Sequence, residues 1–316
     1  MFNESMKLGE STLSYDECSN LVESSYNGTT VEWVYDARNW VVQESLNVSG
    51  SVYVTGYAYD GAGNVVGMSY PDGSAVSMGY DFANRLTSVG GYADIGYTVV
   101  DGVDAVVYGN GVSTGYAYDN RNRPINILTQ NSSSVLLNLT YGYDLTGSVT
   151  SIDNGSYTET YGYDLLDRLN STVGPWGSIS YGYDAVGNRL CRFVQGGGTT
   201  SYSYDDMDRI TSATGLGFDW DSNGNMVYKD DGVYAWNYTY DSLNRLTQVQ
   251  KDGSLSALYT YDSDGRRVRS WDTVDGTTDY VYSGLNVIDE ITCEAENITR
   301  QAIRYSTTRS ATSTAD

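Results

Sequence analysis

The chain has 316 residues and a formal net charge of −22, set by 40 acidic against 18 basic side chains, only three of them Lys. That balance opposes partners whose affinity comes from Lys and Arg on phosphate or anionic lipid, so neither nucleic-acid binding nor membrane insertion is expected. With no His at all, every triad, acid–base pair and metal cage built on imidazole is excluded.

From the N-terminus, MFNESMKLGE has no basic start followed by an apolar core, so no export signal is read there. Residues 1–29 are expected to form a degenerate first repeat or cap, because Tyr15-Asp16 with Asn20 imitates the units further along the chain. From about residue 30 to 290 one signal dominates. In eleven units an aromatic residue is followed at once by Asp, at Asp36, Asp60, Asp81, Asp119, Asp144, Asp164, Asp184, Asp205, Asp221, Asp241 and Asp262. Three residues after each stands Gly, Asn or Asp, and most copies lie 20 or 21 residues apart. Repetition at such a period is the mark of an array architecture.

One copy, Tyr161-Gly-Tyr-Asp-Leu-Leu-Asp-Arg-Leu169, shows how the unit builds itself. Tyr161 and Tyr163 are two apart and so share a face in a strand. Asp164 opens a three-residue hairpin loop whose last position requires φ > 0, which Gly, Asn and Asp tolerate. The carboxylate can accept backbone N–H bonds across the turn. Asp then pairs with the residue four later, which is Arg85, Arg123, Arg168, Arg209, Arg245 or Arg266 in six units. The Tyr before Asp faces Leu86, Val149, Leu169, Ile210, Met226 or Leu246. Aromatic and aliphatic side chains are therefore expected on a core face, with Asp and Arg on a wet one.

At the far ends of the hairpins, Pro71-Asp72-Gly73, Asn110-Gly111, Asn154-Gly155, Asp231-Gly232, Asp252-Gly253 and Asp275-Gly276 suit type I′ turns. Gly174–Gly177 and Gly196–Gly198 fill the same slot. No segment carries a 3.6-residue apolar period. The fold class is therefore all-β: tandem antiparallel hairpins that must curve into a bent sheet, open barrel or partial shell, since twist forbids a long flat sheet. Residues 291–316, rich in Ser, Thr and Arg, are expected to be a partly disordered tail.

Candidate chemistry is sparse. Asp219, Asp221, Asn223 and Asn225, with Asp230 at the twelfth place, fit calcium-loop spacing, although Trp220-Asp221 is also one more repeat turn and no helices flank it. No other cofactor is expected. Paired carboxylates could serve glycoside chemistry, but nearly all Asp are already accounted for as turn residues, so no catalytic residue is assigned. Cys18, Cys191 and Cys293 lack metal or disulfide-framework spacing. Nine Asn-x-Ser/Thr sequons, at Asn3, Asn27, Asn47, Asn131, Asn138, Asn154, Asn170, Asn237 and Asn297, exceed chance modestly and favour a location outside the cytoplasm.

The units Gly-Tyr-Asp-Ala-Val-Gly-Asn-Arg-Leu190, Thr-Tyr-Asp-Ser-Leu-Asn-Arg-Leu246 and Tyr-Pro-Asp-Gly-Ser74 resemble YD repeats of the rearrangement-hotspot (Rhs) family, whose animal relatives are the teneurins. The resemblance covers about residues 30–290. Tyr280–Glu290 resembles the segment where the family's repeats give way to its core-associated region. The resemblance implies hairpins spiralling into a hollow shell which, in bacterial members, encloses a C-terminal toxin released by a self-cleaving core. Neither that core motif nor a toxin domain is recognisable in this sequence. The expected function is thus a non-enzymatic shell or scaffold segment at the cell surface or outside the cell, with a toxin cargo or further copies of the shell as partners. The alternative is an adhesion module that binds glycans or proteins through exposed aromatics.

Overall fold

The structure, a computed structural model, describes residues 6–8, 11–294 and 297–301. Among them are thirty strands and no helix. Strand pairings are antiparallel and join sequence neighbours, as expected of tandem hairpins. Of the expected tail, residues 291–294 end the strand Asn286–Glu294 and Asn297–Gln301 forms another; residues 302–316 lie outside the described residues.

The chain divides into two compact bodies, Met1–Asn84 with Trp236–Asp316, and Arg85–Ala235. In the first, the terminal body, hairpins from the two ends of the sequence pack face to face. Val31 pairs with Leu46 and Leu46 with Tyr53, so three adjacent strands present one apolar face. Val31, Leu46, Val48, Val268, Val281 and Ile291 are all buried in this interior. Each contributes roughly 1.5–3 kcal/mol by leaving water. Polar ties cross the same interior. The Tyr53 hydroxyl donates to Asp279 Oδ2 at 2.6 Å, Arg266 Nη2 donates to Glu44 Oε1 at 3.0 Å, and Thr29 Oγ1 donates to the Tyr261 carbonyl at 3.2 Å.

The second, middle body is a run of hairpins from Leu86–Val89 to Met226–Asp230. Its buried side chains include Val89, Val106, Thr114, Thr172 and Ala213. Register puts Tyr116 beside Ile127, Tyr141 beside Ile152 and Tyr161 beside Thr172, so aromatic and aliphatic residues do share one face, called here the ladder face. On that face the Tyr rings stay half-buried. The Gly between paired Tyr residues faces the other way and has a packing reason. A Cβ at Gly162 would lie 2.4 Å from Ser171 Oγ, and one at Gly142 would lie 2.4 Å from Ser151 Oγ.

Candidate functional site

The repeated turn is the element with the densest chemistry. In all eleven units the third residue after Asp has positive φ, from 57° at Asn122 and Asp167 to 108° at Gly147 and Gly187. At Asp36 the loop closes through Asn39 N donating to Asp36 O at 3.0 Å and Asp36 N donating to Trp40 O at 2.9 Å. In ten of these units, Asp Oδ1 also accepts the N–H two residues on. The degenerate turn at Asp16 does the same, with Ser19 at φ 66°. These bonds stabilise the ionised carboxylate. Asp119 is held down from 3.8 to about 2 by the Arg123 backbone N–H and then by the Arg123 side chain.

Successive turns are tied together by two devices. The first is the aromatic residue before Asp. Tyr143 donates its hydroxyl to Pro124 O, Tyr163 to Val149 O, Tyr183 to Leu169 O and Tyr261 to Leu246 O, all at 2.7 Å. In each case the acceptor lies five residues past the preceding repeat Asp; Trp220 Nε1 reproduces the bond to Ile210 O. The second device is the residue four past Asp. Arg168 Nε donates to Asp164 Oδ2 at 2.7 Å, its Nη1 donates to Asp184 O at 2.9 Å, and its guanidinium sits 4.8 Å from the Tyr183 ring centroid. Arg123, Arg209, Arg245 and Arg266 repeat the pattern against Tyr143, Trp220, Tyr261 and Tyr282. Where Asn replaces Arg, the reach is to the next turn's positive-φ residue: Asn64 Nδ2 donates to Asn84 Oδ1 and Asn188 Nδ2 to Asp208 Oδ1.

The expected division into a Tyr face and a wet Asp–Arg face is corrected by this second device. Each Arg lies across the next unit's ring because a weakly hydrated planar cation gains more over an aromatic face than in water. The far-end turns are a second correction. Of those expected to be type I′, only Asp252-Gly253 has both residues at positive φ. Asn154 and Asp231 instead use their amide or carboxyl oxygen to accept the N–H groups of Ser156 and Val233, which places them one position earlier in the turn. Type I′ angles occur also at Asn27-Gly28 and Ser49-Gly50, outside the expected set.

Two members of the array were missed because they lack the aromatic-Asp pair. Tyr97 donates to Leu86 O, Thr98 Oγ1 accepts from Gly102 N at 3.1 Å, and Asp101 takes φ 67°. Tyr282 donates to Arg267 O. The double-length gap between Asp81 and Asp119 was the available signal for the first.

For the calcium-loop residues, Asp221 uses Oδ1 for the Asn223 and Asn225 N–H groups and Oδ2 for the Asn225 amide. Asp230 Oδ1 accepts from Gly232 N. Among the described residues no three His, Cys, Asp or Glu side chains gather closely enough to hold a metal. Of the sequons, Asn27, Asn131, Asn138 and Asn237 are exposed, and Asn47, Asn154 and Asn170 are partly covered. Asn3 lies outside the described residues, and Asn297 lies in a strand.

Fold and clamp together define a YD-repeat wall. A family model for the teneurin YD-shell matches residues 106–303 and one for the RHS repeat matches residues 35–75, so the chain belongs to the teneurin YD-shell family. Similar solved structures include the Photorhabdus luminescens Tc holotoxin pore carrying a TccC3 mutation, with TM-score 0.74, 18% identity, 89% of this chain and 18% of that chain covered. The crystal structure of TcdB2-TccC3-TEV gives TM-score 0.72 and 17% identity over 89% of this chain and 18% of that one. The chain thus spans under a fifth of the length of these proteins. No curated protein sequence matches it.

Proposed function

We propose that the chain is a non-enzymatic wall segment of a YD-repeat shell that acts outside the cell and encloses a polypeptide toxin. The observation that carries this reading is the ladder face of the middle body. Its Tyr rings are half-buried, Leu137 is 42% exposed, and Trp176, folded over Gly174, is 47% exposed. Such a face offers aromatic and aliphatic contacts without a fixed pocket, which suits a polypeptide held in many conformations. The sequon excess supports an extracytoplasmic setting.

The test uses the full chain and fluorescein-labelled lysozyme kept unfolded by reduction and alkylation, followed by anisotropy at raised salt to suppress charge-driven binding. Binding is expected, and Leu137→Asp with Trp176→Asp should weaken it several-fold or more. No binding, or binding indifferent to the double substitution, retires the reading.

A further inference from the structure

On the face opposite the Tyr ladder the middle body carries a cleft that the wall function does not use. It has a volume of about 630 Å³ and is lined by Ser201, Ser203, Ser212, Gly217, Tyr228 and Asp230, among others. That volume lies within the ordinary range of small-molecule sites. Register assigns these residues to one face, since Ser203 pairs with Ser212, Ser212 with Gly217 and Gly217 with Asp230.

The floor of the cleft is a glycine, and the strand glycines differ in how much space lies above them. At Gly142, Gly162 and Gly182 the space above the glycine is filled by Ser151, Ser171 and Cys191. At Gly217 the nearest atom to a Cβ would be Asp230 Cβ at 4.0 Å, so the floor is open. Among the described residues the hydroxyls of Ser203, Ser212 and Tyr228 have no hydrogen-bond partner, and Asp230 keeps Oδ2 free after Oδ1 binds Gly232 N. Three hydroxyls, one carboxylate oxygen and one aromatic ring therefore converge on an open floor.

We infer that this cleft binds a neutral saccharide. A sugar ring offers what the lining lacks: vicinal hydroxyls to bond the serines and Asp230, and a C–H face to lie against Tyr228. An anionic ligand is disfavoured by Asp230 and by the net charge of −22. The cleft lies on the face opposite the one proposed to contact cargo, so either site can exist without the other.

Saturation-transfer NMR on the full chain with lactose, maltotriose and N,N′-diacetylchitobiose, each at millimolar concentration, tests it. At least one sugar should show transfer, and Tyr228→Ala and Gly217→Leu should each weaken its binding by about tenfold or more. Circular dichroism and an unchanged Tm establish that each variant is folded, and Tyr228→Phe, which keeps the ring, should retain most of the affinity. Trp176→Ala on the ladder face should leave sugar binding unchanged. No transfer from any of the three sugars overturns the inference. So does binding that survives both cleft substitutions, or binding lost only in Trp176→Ala.

Discussion

Replacing Arg245 by Met tests whether the clamp between turns, rather than the turn alone, stabilises the array. Arg245 Nε donates to Asp241 Oδ2 at 2.7 Å, and Nη1 donates to Asp262 O at 2.9 Å. The guanidinium lies 4.4 Å from the Tyr26 ring centroid and 4.9 Å from that of Tyr261. A hydrogen-bonded charged group contributes about 1.5–3 kcal/mol, and each ring contact about 0.5–1. Nη2 is buried without an oxygen partner, which offsets part of the gain. The expected loss is about 2–4 kcal/mol. Arg168 makes the same bonds but is 26% exposed against 11%, and it stacks on one ring rather than two. Arg168→Met should therefore cost about 1–2 kcal/mol. Equilibrium urea unfolding followed by tryptophan fluorescence measures both, with Trp40 and Trp271 reporting the terminal body and Trp176 and Trp220 the middle one. If Arg245→Met costs no more than Arg168→Met, burial and the second ring do not set the strength of the clamp.

Gly162→Ala should destabilise by about 1–3 kcal/mol, because its methyl meets Ser171 Oγ; adding Ser171→Gly should restore most of the loss, and a melt that shows no rescue removes the steric explanation. Tyr53→Phe deletes the 2.6 Å bond to buried Asp279 and should cost about 1–3 kcal/mol, read by the same urea transitions. The Asp119 carboxyl is depressed in the folded chain from 3.8 to about 2. Its contribution to stability is therefore present above about pH 4 and lost as pH falls towards 2. Carbon-detected NMR titration of the Asp carboxyls should show Asp119 among the last to protonate, and a midpoint at the ordinary carboxylate value would contradict the turn geometry.

The amino-acid sequence by itself determined the repeat, the turn conformation and the pairing within each hairpin. These depend on groups within four or five residues of one another: an Asp oxygen, the N–H groups it accepts, and a residue that tolerates positive φ. Tertiary structure decided what spans longer distances. It sent each Arg over the next unit's ring, recruited Tyr97-Thr98 to the array without an Asp, and brought Tyr53 to Asp279 across 226 residues of chain. It also filled the space above Gly162 while leaving Gly217 open. Burial and side-chain direction depend on which strand faces which, and no local pattern encodes that choice.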